Sequence, residues 1–293
     1  MPTRHSQPIT IGLKDLMASV RDFLESSPVA KAAATLDLGG GRGIMVWENR
    51  NDRVSYKTPQ GHAFSLYLAG GTGTRRLDGA GARGWPGAVC VFPDGQPSEW
   101  EITTPHRFAH LYLPDERLRA DFARTHDCDA RRLDVPEITF ADMPHLAAPL
   151  ATLARAASAG DVLLADTGLS EIIARLGARK VSLRGGLSPH ILRRIDDWIE
   201  AHLDEAIRLS DVAALAALSP FHLHRMFRAS RGIPLHAWIT ERRIDRAKSL
   251  LRGTDPVLEI ALACGFSSQS HFTRTFKSGT GSTPAAWRVA IKG

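Results

Sequence analysis

The chain has 293 residues, 43% hydrophobic and 23% charged, an ordinary balance for a folded protein and enough length for two domains. No run of about 18 apolar residues occurs, which excludes a membrane-spanning helix, and the polar residues 1–7 lack the apolar stretch of a secretion signal. The net charge of +6 is unevenly placed: residues 1–180 carry 21 basic and 21 acidic side chains, whereas residues 181–293 carry 16 and 10, so only the second part is built to meet a polyanion.

Residues 12–25 read as a helix, because Leu13, Leu16, Met17, Val20 and Leu24 fall at three- and four-residue steps. From Ile44 the period changes to two. Short strands are expected at 44–48, 54–57, 63–68, 88–92, 99–103 and 108–113, divided by turn clusters such as Pro93-Asp94-Gly95. Such regular, turn-punctuated strands predict an antiparallel barrel or sandwich. Gly39-Gly40-Gly41 and Gly70-Gly71 suit hairpin turns better than phosphate loops, since neither leads from a strand into a helix.

Helices are expected next at 115–124, 143–159 and 167–179, followed by a linker at Arg184-Gly185-Gly186. Ser188-Pro189 then opens another helix with a capping residue and an N1 proline. Ile191, Ile195, Trp198, Ile199 and His202 should mark its inner face. A helix at 235–251 has the expected buried stripe Ala237, Thr240, Ile244, Ala247 and Leu251, and Gly253 supplies a stop.

One short pattern occurs twice around that helix. The first copy has Ser210-Asp211-Val212-Ala213, a turn at Ala217-Leu218-Ser219, and a helix ending Arg225-Met226-Phe227. The second has Ile260-Ala261, a turn at Gly265-Phe266-Ser267, and a helix ending Arg274-Thr275-Phe276. Arg225 and Arg274 stand 49 positions apart, as do Phe227 and Phe276. In the first copy Leu223, Met226, Phe227 and Ser230 share an inner face. Phe221, His224, Arg225 and Arg228 share the outer one, with His222 beside them. In the second copy Phe272 and Phe276 point inward, while Ser270, Thr273, Arg274 and Lys277 point outward, with Gln269 at the N-terminal edge. Arginine reads guanine and glutamine reads adenine in the major groove, and Lys277 suits a phosphate. Phe221 has two readings, a thymine methyl contact or packing back on the domain. Two helix-turn-helix units on one connector suit successive major-groove segments of one DNA face, roughly 34 Å apart.

This stretch resembles the AraC/XylS family of bacterial transcription regulators. The resemblance rests on Arg243-Ile244-Asp245-Arg246-Ala247, Leu250-Leu251, Ile260-Ala261, Gly265-Phe266, the run from His271 to Lys277, Gly281-Ser282-Thr283-Pro284 and Trp287-Arg288. It implies base contacts at Phe221, His224 and Arg225 in the first unit and at Gln269, Ser270 and Arg274 in the second. It also implies promoter DNA and RNA polymerase as partners, with activation as the usual outcome.

The β-rich part is similar to the cupin-type sensor of many such regulators. Trp85-Pro86-Gly87-Ala88-Val89-Cys90-Val91-Phe92-Pro93 resembles the strand after the cupin P-G-D turn, with Ala88 in place of the acid, and 108–114 resembles a closing strand. The expected fold is therefore α+β: residues 1–180 a cupin-like sensing and dimerisation domain, 181–187 a linker, and 188–293 an all-α DNA-binding domain.

A small-molecule effector is expected in the barrel, and Trp47, Tyr67, Trp85, Trp100 and His110 are the candidate lining. A barrel serving only dimerisation or protein contact is the alternative. No cofactor, metal site or enzymatic activity is expected. His62, His106 and His110 are scattered, and His222-Leu223-His224 diverges on a helix. Cys90, Cys128 and Cys264 form neither a disulfide framework nor a zinc set, and a cytoplasmic homodimer is the expected state.

Overall fold

The computed structural model describes residues 18–79 and 81–292. A sheet-rich N-terminal part precedes a helical C-terminal part. Helix α1 (Val20–Glu25) opens the described chain, its N-terminus closed by a capping box between Ser19 and Asp22. It is the end of the expected helix 12–25; Leu13, Leu16 and Met17 lie outside the described residues.

The strands are β1 (Lys31–Gly39), β2 (Arg42–Asn49), β3 (Asp52–Tyr56), β4 (His62–Gly70), β5 (Thr74–Arg76), β6 (Val89–Phe92), β7 (Ser98–Ile102), β8 (His106–Leu113), β9 (Leu133–Asp134), β10 (Ile138–Ala141) and β11 (Gly177–Ala178). All six expected strands are present. They form no single closed barrel. An antiparallel sheet in the order β1-β2-β8-β4-β6-β10 faces a smaller one in the order β3-β7-β5. Alternation along a strand reports its two faces but not its hydrogen-bonded partner, and partner choice separates a sandwich from a closed barrel.

The six-stranded sheet is covered on both sides. Ile44, Val46, Phe64, Leu66, Val91, Ala109 and Leu111 pack on the helices α2 (Asp115–Thr125), α3 (Pro144–Ala159) and α4 (Val162–Ala174). Their strand neighbours Met45, Trp47, Ala63, Tyr67, Phe108 and Tyr112 face Val54, Tyr56, Trp100 and Ile102 of the smaller sheet. Strand β1 was not expected. It is alanine-rich and mostly exposed, and pairing with β2 organises it rather than its own β propensity. Helix α4 begins and ends five residues before the expected helix 167–179. Gly160 stops α3 in the left-handed conformation, Asp161 caps α4 through the Leu163 and Leu164 amides, and β11 then pairs with β9.

The C-terminal helices are α5 (Pro189–Ala201), α6 (Leu209–Leu215), α7 (Pro220–Arg231), α8 (Leu235–Leu250), α9 (Val257–Ala263), α10 (Gln269–Thr280) and α11 (Pro284–Lys292). They contain two separate cores. Ile195, Ile199, Val212, Leu223, Phe227, Trp238 and Ile239 form one; Ile244, Ala247, Leu251, Ile260, Phe272, Phe276 and Trp287 form the other. Helix α8 belongs to both, so its first half buries Trp238 and Ile239 instead of the expected Ala237 and Thr240, which are only half-buried.

Candidate nucleic-acid interface

Each helix-turn-helix is closed by the same backbone device. After α6, Ala217 adopts φ 51°, its amide donates to Ala214 O, and the Leu218 amide donates to Ala213 O. After α9, Gly265 adopts φ 76°, with matching bonds to Leu262 O and Ala261 O. This is a left-handed C-terminal cap, which reverses the chain within two residues. The following helices start on serine caps: Ser219 Oγ accepts from the His222 amide at 3.3 Å, and Ser268 Oγ from the His271 amide at 3.2 Å.

The turns orient α7 and α10 so that their apolar faces are buried and their polar faces are open. Leu223, Phe227 and Ser230 are buried on α7, and Phe272 and Phe276 on α10. Phe221, His222, His224, Arg225 and Arg228 are all exposed. Phe221 is 74% accessible, which decides between its two readings in favour of an outward ring. On α10 Gln269, Ser270, Arg274 and Lys277 are exposed, and Thr273 is half-buried. Arg228 differs from its neighbours in pairing with Glu116 of α2. The 16 residues of α8 give a connector of about 24 Å at 1.5 Å per residue. An arginine-bearing helix exposed on one side and wedged by phenylalanines on the other is built to enter a groove.

A helix-turn-helix domain model matches residues 212–290. Over 105 residues the chain is 36% identical to the probable transcription factor PqrA of Proteus vulgaris, a stretch covering 35% of this chain and 86% of that protein. The chain belongs to the AraC/XylS family of transcriptional regulators. The right origin-binding protein of Escherichia coli strain K12 is 43% identical over 99 residues, covering 33% of this chain and 34% of that protein. The chain thus spans about a third of the length of this and other curated relatives that it matches. Among solved structures, an AraC-type regulator from Chromobacterium violaceum is 31% identical, covering 35% of this chain and 92% of that one, with a TM-score of 0.34. The DNA-binding domain of AdpA in complex with a target DNA is 33% identical, covering 34% and 92%, with a TM-score of 0.33.

The expected ligand-lining residues separate into two groups. Tyr67, Trp100 and His110 line one internal cavity between the sheets. Trp47 shares their apolar core and donates from its indole nitrogen to Tyr112 Oη at 2.9 Å. Trp85 lies apart, 39% accessible and tilted against Phe140. The cavity also contacts Asn49, Tyr56, Phe92, His106 and Phe108. The histidines and Phe108 had a signal in the sequence: His106, Phe108, His110 and Tyr112 alternate along β8 and so share its inner face. The cavity offers only about 20 Å³, room for roughly one water and far below the size of a small-molecule site. Burial holds His106 neutral, with its pKa lowered to about 4, and His110 lower still, at about 3. Asn49 and His106 also line an open cleft of about 640 Å³ at the strand ends, together with Lys31, Glu48, Arg50, Gly70 and Arg107.

Among the described residues no helix is long and apolar enough to cross a membrane.

Proposed function

We propose that the chain is a two-domain transcription activator controlled by a small molecule. Residues 1–180 form the sensing and dimerising domain, 181–187 the linker and 188–293 the DNA-binding domain. Helices α7 and α10 enter two neighbouring major-groove segments of promoter DNA. Phe221, His222, His224, Arg225 and Arg228 face the first segment; Gln269, Ser270, Thr273, Arg274 and Lys277 face the second. The observation carrying this reading is the matched pair of open, cationic helix faces, each backed by buried phenylalanine.

The cupin-like N-terminal part receives the effector. The 640 Å³ cleft has the size of a small-molecule site. It borders the aromatic interior at Asn49 and His106, so rearrangement of His106 joins the two spaces. The effector shifts the regulator between states only by its difference in affinity for them. The signal then reaches RNA polymerase through the DNA-bound dimer. A second reading, in which this part binds no metabolite and only mediates protein contact, is favoured by the small size of the internal cavity.

Footprinting of the purified protein on the promoter beside its own gene, with and without candidate metabolites, separates these readings. Protection that changes with one metabolite supports the sensor. Protection indifferent to all of them, together with no uptake in equilibrium dialysis, supports the protein-contact reading. Binding-site selection with Arg225→Ala and Arg274→Ala tests the faces. Each variant should lose base preference in its own segment, and unchanged preference in both would show that the wrong faces were assigned.

A further inference from the structure

The two helix-turn-helix units have separate cores, so the distance and rotation between α7 and α10 are not set by one packed interior. Helix α8 links them, and Arg243 of that helix adds bonds to the Leu203 and Glu205 carbonyls. The turn of the second unit also lies directly on the first, since a Cβ on Gly265 would strike Leu203 O. Further fastenings come from the N-terminal part, and they meet the last turn of each reading helix.

At the end of α10, the β1–β2 hairpin makes the contact. Arg42 is buried and donates to Leu38 O, Gly39 O and Asp121, and also to Gly279 O of α10 at 2.8 Å. The Gly40 amide donates to Ser278 O at 2.7 Å. A side chain at Gly281, the left-handed cap of α10, would strike the Asp37 carbonyl.

The end of α7 repeats the arrangement with the arginine on the other side. Arg231 is buried and donates to Cys128 O at 3.3 Å and Ala123 O at 3.5 Å, while pairing with Asp196 of α5. A Cβ on the cap Gly232 would lie 3.1 Å from Arg119 Cβ and 3.3 Å from the Ala120 amide.

Between these points, Glu241 of α8 pairs with Arg117 and Arg124, and Asp245 pairs with Arg124. Each helix-turn-helix core also takes side chains from the N-terminal part: Ala120 in the first, Val162 and Leu163 in the second. None of these contacts covers Phe221, His224, Arg225, Gln269, Ser270 or Arg274, which stay exposed.

We propose that the N-terminal part is the template that sets the spacing and rotation between the two DNA-reading helices, with Arg42, Arg231 and Glu241 as positioning residues. This rests on the reading of α7 and α10 as two faces for one DNA. In B-DNA one inserted base pair moves the second segment by about 3.4 Å and turns it by roughly 35°. A rigid template should reject that shift, whereas two units joined only by α8 and the contacts around Arg243 should follow it more readily.

The test uses the full-length protein and its selected site with zero, one or two base pairs inserted or deleted between the segments. The wild type should lose about tenfold or more in affinity for each one-base-pair change. Arg42→Gln and Glu241→Gln should reduce that penalty to about threefold while keeping the base preferences within each segment. Glu241→Gln is a near-isosteric change on α8 itself, so it decides the matter if Arg42→Gln does not fold by circular dichroism. A folded variant with the wild-type spacing penalty overturns the template, as does a wild type indifferent to spacing. Variants that bind every site more tightly also overturn it, because the contact would then restrain DNA binding, with Glu116 on Arg228 as its focus. Failure of the underlying two-face reading looks different: Arg225→Ala and Arg274→Ala would leave base preference unchanged in both segments.

Discussion

Replacing His110 by asparagine should remove about half of the acid sensitivity that two buried histidines impose on the fold. Burial lowers His106 to about 4 and His110 to about 3, the latter further disfavoured by the neighbouring His106. In the unfolded chain both rings titrate near the ordinary value of 6.5. The folded pKa values are depressed, so the unfolded state takes up protons first as the pH falls. Stability is intact above about pH 6.5 and declines between there and the folded values. At pH 5 the gap to the unfolded value is about 1.5 units, and at about 1.36 kcal/mol per unit each ring costs about 2 kcal/mol. The two together cost about 4 kcal/mol relative to pH 8. Urea unfolding at pH 8 and pH 5 measures this directly. His110→Asn lowers stability at both pH values through lost packing, but its loss between them should be about 2 kcal/mol smaller than the parent's. Contributions of other titrating groups cancel in the comparison. An unchanged loss would show that His110 charges as readily in the folded chain as in the unfolded one, and the sealed interior of the sandwich would be refuted.

Lys277→Ala should weaken DNA binding evenly across sequences and lower the slope of log affinity against log salt by about one, read by titration at several salt concentrations. A change confined to particular sequences would make Lys277 a base reader instead. Asp121 is buried among Arg42, Arg117 and Arg124; burial opposes its ionisation, but the three guanidiniums outweigh that and hold its carboxyl below the usual range. Asp121→Asn leaves the buried Arg42 without its carboxylate partner and should cost about 3–5 kcal/mol in urea unfolding. Ala217 is exposed at φ 51°, where its Cβ is strained, so Ala217→Gly should raise stability by about 1 kcal/mol in thermal unfolding. A fall in stability there would mean that the turn relies on the methyl group.

The DNA-reading unit was legible because its determinants are local. The 3.6-residue period sorts Leu223 and Phe227 from His224 and Arg225 without knowledge of any other element, and the serines at 219 and 268 lie within one turn of the amides they cap. Six of the strands were found for the same reason, through alternation along the chain, whereas β1 and the short β5, β9, β10 and β11 were not. Nor was the arrangement of the strands. Whether β8 lies between β2 and β4, or whether Trp85 enters the core beside Trp100, depends on partners tens of residues away. The aromatic candidates illustrate the limit: Trp47, Tyr67, Trp85 and Trp100 look equivalent as residue types, but three lie on strands whose faces turn them inward, whereas Trp85 lies in the turn before β6 and stays exposed. Sequence by itself determined the family, the two exposed polar helix faces and the division of charge, since periodicity, caps and composition are properties of short segments. Tertiary structure decided the two-sheet architecture, the small cavity and the contacts that Arg42 and Arg231 make at the ends of α10 and α7. Those contacts join groups more than a hundred residues apart, and only the folded chain brings them within hydrogen-bonding distance.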